Sequence, residues 1–227
     1  SSSLEKSDCV QSLKLYFMVG LPGETQEDVQ AILDLSRKVL SIGRKIRGNR
    51  VRVHIGVAGF IPKPHTPFQW YASEKLETLN QKIYFLKYGT RKSGIKLTYN
   101  SPESSLVEAW LSRGDRRLSA VIQQAWLNGA KFDAWSDKFN KQAWLDAFAD
   151  NGLDPDFYAY RTRDLNEILP WEHISTGVRK QFLKREFLAS QSGEIRIDCR
   201  NGCYYCGILD SFSDLRPTAA DVYWGCP

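Results

Sequence analysis

Hydrophobic positions in the first hundred residues form two kinds of pattern: continuous apolar runs and segments with helical spacing. Residues 13–21 form a nearly continuous apolar run, which is typical of a strand buried on both faces of a parallel sheet. Residues 51–60 form a second run, rich in β-branched side chains, and predict a second strand. Between them the apolar residues keep mostly helical spacing up to Gly43. The three segments predict a βαβ crossover, which is right-handed in nearly all known cases.

The predicted helix has clear starting signals. Pro22 and Gly23 end the first strand, and Thr25 has the side chain expected of an N-cap. Glu27 and Asp28 fall in the first turn, where carboxylates oppose the positive end of the helix dipole.

A proline-rich segment, residues 61–70, follows the second strand and is unsuited to helix or central strand. It predicts a stiff loop at the carboxyl end of a strand, where α/β folds hold their chemistry. His65 lies between prolines of this loop and is a candidate acid–base group or substrate contact. Loop histidines with neither role are commoner. A helix over residues 74–91 and a short strand over 95–99 come next.

Beyond residue 102 the alternation of strand and helix stops. Segments near 103–112, 116–128, 140–150 and 177–190 have helical patterns, separated by Gly and Asp-Pro. The tryptophans of this half recur within helical stretches and are therefore predicted to form the core of a helical region rather than a base-stacking platform. They are Trp110, Trp126, Trp135, Trp144 and Trp171. The pattern divides the chain into residues 1–100, 101–196 and a cysteine-rich tail, 197–227.

Composition limits the expected cellular location but does not identify a binding partner. A net charge of +5 permits an anionic partner such as RNA but does not require one. The sequence has no apolar run near the ~20 residues of a membrane span and no signal peptide, so we expect a cytoplasmic protein with no membrane partner. Because the sequence begins without Met, we also expect a piece of a longer protein.

Three of the five cysteines stand close together, at Cys199, Cys203 and Cys206. Clustered thiols in a cytosolic protein bind metal more often than they form disulfides. This spacing lets three thiolates from one loop converge on an iron–sulfur cluster or on three of the four positions of zinc. Gly202 and Gly207 favour a loop that wraps a metal. Reduced thiols without metal are the least favoured of the three interpretations.

Zinc needs a fourth ligand, for which Cys226, His173 and Cys9 are candidates. Cys226 is nearest in sequence and follows Trp224-Gly225, a turn that could fold back.

Gly20, Leu21, Pro22, Gly23 and Glu24 form the strand-to-helix turn. A plain capped turn is the usual meaning of two glycines at this spacing. The functional alternative is a ligand lying along the turn, because glycine allows close approach and a helix N-terminus offers N–H donors. The segment lacks the signatures of a phosphate loop or a dinucleotide fold.

Residues 113–117 (RGDRR) have the composition of a phosphate or RNA clamp. The favoured alternative is structural. Asp115 would cap a helix that begins at Arg116, and the arginines would pair with nearby carboxylates.

Several motifs in order resemble one enzyme family. Residues 14–29 (KLYFMVGLPGETQEDV) look like a late barrel strand and turn of radical S-adenosylmethionine (SAM) enzymes. The resemblance is strongest to the group that joins a cobalamin-binding domain to a radical SAM core, and to methylthiotransferase-like relatives. Residues 60–70 match the next strand end of that group. Residues 112–118, 169–174 (LPWEHI) and 198–207 (DCRNGCYYCG) are similar to an uncharacterised cobalamin-binding subgroup.

The resemblance implies an α/β fold: the C-terminal part of a (β/α) radical-SAM-type barrel, then an α-helical region and an irregular cysteine-rich tail. It implies that residues 20–24 line the adenosyl part of SAM and that the tail holds an auxiliary [4Fe–4S] cluster. The family's Cys-x-x-x-Cys-x-x-Cys motif follows the first barrel strand, but here the similar motif ends the chain. Cys9 is the lone thiol before residue 13, and the cobalamin-binding segment is missing too.

The chain is therefore expected to be the C-terminal portion of a radical SAM enzyme and inactive alone. The SAM-cleaving cluster and the cobalamin would belong to the missing N-terminal part of the same polypeptide. The whole enzyme would modify an unactivated carbon of an unknown substrate. The competing hypothesis is a non-catalytic, zinc-stabilised domain that binds RNA or protein.

Overall fold

The computed structural model describes residues 12–215 as a mixed α/β fold. Its one sheet in this range has three parallel strands in the order β1 (Ser12–Val19), β2 (Arg52–Gly59) and β3 (Ile95–Tyr99). The predicted strands and their parallel pairing are confirmed. No closed barrel is formed by the described residues.

Two long helices, α1 (Gln26–Arg47) and α2 (Leu76–Gly89), connect the strands and pack on the same face of the sheet. Crossovers of one hand between neighbouring parallel strands place their helices on one side. Thr25 starts α1 as predicted: its hydroxyl accepts the N–H of Asp28, whose carboxylate accepts the N–H of Thr25 at 2.8 Å. The apolar layer between helices and sheet comprises Val19, Val29, Ile32, Leu33, Leu40, Val51, Val53, Ile55, Val57, Leu79, Ile83, Leu86 and Ile95.

The opposite face of the sheet is not covered by any element within residues 12–215. Tyr16 is 75% exposed and Met18 is 47% exposed, so within residues 12–215 β1 is not buried on both faces as predicted. The reason is that both crossover helices pack against the other face. Small and polar residues, including Gly56 and Thr98, continue the uncovered face across β2 and β3.

The second half is helical, and the four predicted segments are confirmed with shifts of a few residues. The helices are α3 (Pro102–Arg113), α4 (Leu118–Leu127), α5 (Lys141–Asp150), α6 (Pro155–Ala159), α7 (Lys180–Gln191) and α8 (Ile208–Ser211). The two that the sequence pattern did not predict, α6 and α8, are about one turn long. Short 3₁₀ helices occupy Gly48–Arg50, Pro67–Trp70 and Ser213–Leu215. Within residues 12–215 no helix is long and apolar enough to cross a bilayer.

Tryptophan burial confirms only part of the prediction for this half. Trp110 and Trp144 lie in the core formed by α3 to α6, and Trp171 packs with Trp70 against α7. Trp126 and Trp135, however, are 54% and 61% exposed, so they are not core residues.

One buried arginine holds the helical half to the proline-rich loop. Arg113 is fully buried, and its Nε donates to the carbonyl of Tyr158 at 2.7 Å. Its two terminal nitrogens donate to the carbonyls of Tyr71 and Arg161. Burial, with the nearby charge of Arg163, lowers the pKa of Arg113 to about 10. Arg113 therefore joins α3 to two other segments, one at Tyr71 and one at Tyr158 to Arg161, through their backbone oxygens.

This arrangement corrects the prediction that the arginines of residues 113–117 pair with carboxylates. The prediction holds for Arg117, whose guanidinium donates to Asp115 at 2.7 Å, but not for Arg113. Asp115 also accepts the backbone N–H of Arg117, as a cap would, although α4 begins at Leu118. Because Arg113 is fully buried and all three of its guanidinium nitrogens donate to backbone carbonyls, it is not available to an external phosphate.

We expect Arg113→Lys to destabilise the protein by about 3 kcal/mol. A lysine ammonium cannot reproduce the planar fork, so buried carbonyl groups lose their donors. Urea unfolding measures this change, and Arg117→Lys at the exposed neighbouring position is the control, expected within about 0.5 kcal/mol of the wild type. Equal effects at the two positions would contradict the role assigned to Arg113.

Candidate functional site

The turn between β1 and α1 lies at the carboxyl edge of the sheet. From the sequence it was either a plain capped turn or, as the family resemblance implies, part of a ligand site. Gly20 and Gly23 both have left-handed backbone, with φ of +86° and +79°. A Cβ atom at Gly20 would lie 2.8 Å from Leu79 of α2, so packing as well as backbone conformation requires glycine there. A Cβ at Gly23 would meet nothing within 4 Å. Gly23 is therefore the open point of the turn.

Glu24 is used inside the turn. Its carboxylate oxygens accept the N–H of Gly20 at 3.0 and 3.1 Å. One of them lies 2.8 Å from the Nζ of Lys82, and the two side chains are only 6% and 8% exposed. Glu74 receives a second bond from Lys82 at 3.1 Å. Of the five turn residues predicted to contact SAM, Glu24 thus has a carboxylate already bound within the protein, while Leu21, Pro22 and Gly23 remain partly or fully exposed.

The ammonium group of Lys82 is the centre of this buried ion cluster. Burial alone would lower the pKa of Lys82, but hydrogen bonds and charges from Glu24 and Glu74 outweigh burial and raise it. Sequence reasoning missed this residue. A usable signal existed: Lys82 falls on the face of α2 that also carries the buried Leu79, Ile83 and Leu86. A lysine at an apolar position requires a carboxylate partner.

The uncovered face of the sheet forms a shallow hollow of about 530 Å³ beside this edge. Tyr16 and Met18 of β1 line one side, and Tyr99 and Asn100 line the other. Gly56 and Ala58 form its floor at the centre of β2, where their small side chains leave space above the sheet. The hollow could accept a ligand or a further protein segment.

The proline-rich loop holds His65 in a strained conformation. Its φ is +56°, which is uncommon for a residue other than glycine. Its N–H donates to Gln69 Oε1 at 3.1 Å, and the same oxygen accepts Trp171 Nε1 at 2.7 Å. Nε2 of His65 is buried and has no hydrogen-bond partner within residues 12–215. His65 therefore stays a candidate functional residue.

The tail thiols lie in an irregular segment anchored to α7. Cys199 and Cys203 are exposed and Cys206 is half-buried, all as free cysteines. The carbonyl of Cys206 accepts the N–H of Arg179 at 2.8 Å. Tyr205, with φ of +53°, donates its N–H to the Sγ of Cys203 at 3.4 Å. Metal binding by cysteine uses the thiolate form.

The described part of the chain contains no group of three His, Cys, Asp or Glu side chains placed to hold a metal ion. His173 lies exposed in the loop before α7. Cys9 and Cys226, the other candidate fourth ligands, lie outside the described residues. The three thiols nevertheless have the chemistry that an iron–sulfur cluster or zinc requires: soft donors, accessible, on one short segment.

Comparison with known proteins gives one distant relative. Uncharacterized protein MJ0966 of Methanocaldococcus jannaschii is 34% identical to the chain over 155 residues, which is 66% of this chain and 32% of that protein. The chain thus matches about a third of the relative's length. No protein-family model and no solved structure matches the chain.

We expect Lys82→Ala to destabilise the protein by about 3–5 kcal/mol, because it leaves Glu24 buried without its cation. The raised pKa means that Lys82 stabilises the fold below about pH 10.4, and that this contribution disappears only as the pH rises through the higher folded-state pKa. Because Lys82 stays charged over this range, the loss of unfolding free energy in Lys82→Ala should be the same at pH 6 and pH 9. Urea unfolding tests this, with exposed Lys87→Ala on the same helix as control. A loss no larger than that of the control would contradict the ion cluster.

Proposed function

We propose that this chain is the C-terminal portion of a cobalamin-dependent type of radical SAM enzyme. The whole enzyme would cleave SAM reductively at a [4Fe–4S] cluster whose ligands lie outside this chain, and would modify an unactivated carbon. The chain would contribute late strands of the (β/α) barrel, part of the SAM site and a metal-binding tail. Cobalamin would bind through a domain outside this chain.

The observation that carries the proposal is the one-sided sheet. Helices α1 and α2 cover one face, whereas small and polar residues on the other face remain uncovered by residues 12–215. Parallel sheets in soluble proteins almost always have both faces covered. In a (β/α) barrel, helices cover the outer face of the sheet and the inner face lines the interior of the barrel. The greater length of the archaeal relative leaves ample chain for further strands.

The turn supports a role in binding the nucleoside part of SAM. Gly23 has open space where a side chain would stand, so a ligand can approach the backbone closely. Glu24 and Lys82 would act as positioning residues, because they hold the N–H of Gly20 and the turn itself rather than the ligand. When bound, SAM would supply the reactive carbon–sulfur bond.

The tail would hold an auxiliary iron–sulfur cluster through Cys199, Cys203 and Cys206. The N–H bond to Cys203 and the anchoring of the Cys206 carbonyl fit a loop prepared for thiolate ligation. Zinc with a fourth ligand is the alternative occupant, and metal analysis distinguishes the two.

Purified without oxygen, the chain should contain about four irons and four sulfides per polypeptide. Cys203→Ala should lose them, because three thiolates from the tail are then reduced to two. Asn201→Ala, in the same loop but without a thiol, should keep them. About one zinc per chain, lost in the same variant, would overturn the iron–sulfur assignment and favour a structural site. No metal in either protein would refute a metal-binding tail.

The full-length protein gives a separate test of the barrel assignment. Its reading frame should encode Cys-x-x-x-Cys-x-x-Cys upstream of this segment, and the reduced protein should consume SAM. Gly23→Val should slow SAM consumption at least tenfold, because a branched side chain fills the open point and strains a left-handed backbone. Gln26→Ala, exposed on the first turn of α1, is the control. A start codon close to Ser1, or unchanged activity in Gly23→Val, would contradict the assignment.

A further inference from the structure

Charge is strongly segregated along this chain. Residues 35–102 contain fourteen Lys and Arg side chains but only two acidic ones, Glu74 and Glu77. The rest of the chain contains seventeen basic and twenty-four acidic side chains. The mild net charge of +5 therefore hides one strongly basic part, which includes most of α1, β2, α2 and β3.

The fold gathers many of these cations at one end of the sheet. Helix α1 ends at Arg47 just before β2 begins, and α2 ends at Gly89 shortly before β3. Both last turns therefore lie at the amino edge of the strands, opposite the turn at residues 20–24. Gly94 has φ of +86°, and a Cβ there would come within 2.4 Å of the guanidinium of Arg44. The end of α1 thus packs directly on the start of β3.

Two adjoining hollows form a groove along this end. One, of about 410 Å³, is lined by Arg37, Arg44, Lys45 and two serines. The other, of about 590 Å³, shares Arg37 and adds Arg91 and Lys92. We call the two hollows together the basic groove. Its five cations are Arg37, Arg44, Lys45, Arg91 and Lys92. Its α1 part, from Arg37 to Lys45, extends about 12 Å along the helix axis.

Little negative charge within residues 12–215 compensates the basic groove. Arg37 lies 3.5 Å from Asp34, and the Nε of Arg44 is buried without a hydrogen-bond partner in that range. No carboxylate lines either hollow among the described residues. The two helix C-termini contribute only about half a negative charge each. Within residues 12–215, five cations face about one unit of dipole charge and a single carboxylate, so this surface is positive and favours an anionic ligand.

Aromatic side chains beside the groove narrow the class of anion. Tyr88 lines the second hollow and is 65% exposed, and the guanidinium of Arg91 lies 5.6 Å from its ring centroid. Tyr84, one turn earlier on α2, is also 65% exposed. Cations that follow a backbone, combined with exposed rings on which bases stack, are the features of single-stranded nucleic acid binding. A small phosphate ligand would not need these rings.

We propose that the basic groove binds single-stranded nucleic acid, with Arg37, Arg44, Lys45, Arg91 and Lys92 on the phosphates and Tyr88 stacked on a base. The site lies at the opposite end of the strands from the candidate SAM turn. It does not depend on the function proposed above.

Fluorescence anisotropy with the 227-residue chain tests this. The probes are a labelled 20-nucleotide RNA and a DNA of the same mixed sequence, each also as a duplex. The triple variant Lys45→Ala, Arg91→Ala and Lys92→Ala should bind the single strands at least tenfold more weakly at 0.1 M salt. The slope of log affinity against log salt should shrink by about 2, since each lost phosphate contact removes about 0.7. The relative affinities of RNA and DNA identify the natural class.

A matched triple variant removes the same charge elsewhere: Lys131→Ala, Lys138→Ala and Arg200→Ala, all at exposed positions. It should bind within twofold of the wild type, and circular dichroism should show that both triples are folded. Equal losses in the two triples would overturn the proposal, because net charge alone would then explain binding. Wild-type binding weaker than about 10⁻⁴ M at 0.05 M salt would overturn it as well.

Variants of Tyr88 distinguish the contribution of base stacking to binding from that of charge. Tyr88→Ala should weaken single-strand binding about fivefold or more with an unchanged salt slope, whereas Tyr88→Phe should keep the affinity. Equal affinity for duplex and single strands, or no effect of Tyr88→Ala, would overturn the single-stranded assignment.

Discussion

The arrangement of the whole α/β part follows from one constraint: both crossover helices pack against the same face of a parallel sheet. Val53, Ile55 and Val57 of the central strand point their apolar side chains at α1 and α2. The same packing brings Leu79 against Gly20 and allows Lys82 to reach Glu24. The shape of the candidate ligand turn is therefore set by a helix that begins some fifty residues later in the chain.

Local signals in the sequence were enough to predict most of the elements. The capped start at Thr25, the β-branched run of β2 and the short strand β3 were recognisable because nearest neighbours in sequence determine them. Burial of β1 could not be predicted in this way. An apolar run has the same composition whether one face or both are covered, and what covers a face depends on chain that is distant in sequence.

The side-chain networks were the least predictable features. Arg113 stands in a motif that suggests a phosphate clamp, yet its guanidinium satisfies three backbone carbonyls, and nothing in the local sequence identifies those acceptors. Lys82 left a weak signal as a cation on an apolar face, but the identity of its partners required the fold. The cysteine spacing, in contrast, is a local property, and the N–H bond to Cys203 agrees with a loop suited to thiolates.

Strand β1 has a further consequence because it is an outer strand of the sheet. It pairs with β2 along its full length on one side, and in the described structure its other side has no neighbouring strand. The backbone N–H and C=O groups on that side are a template for another extended segment, and Leu13, Tyr16 and Met18 add exposed apolar surface beside them. The chain should therefore associate with itself as its concentration rises, through strand pairing at this edge rather than through its helices.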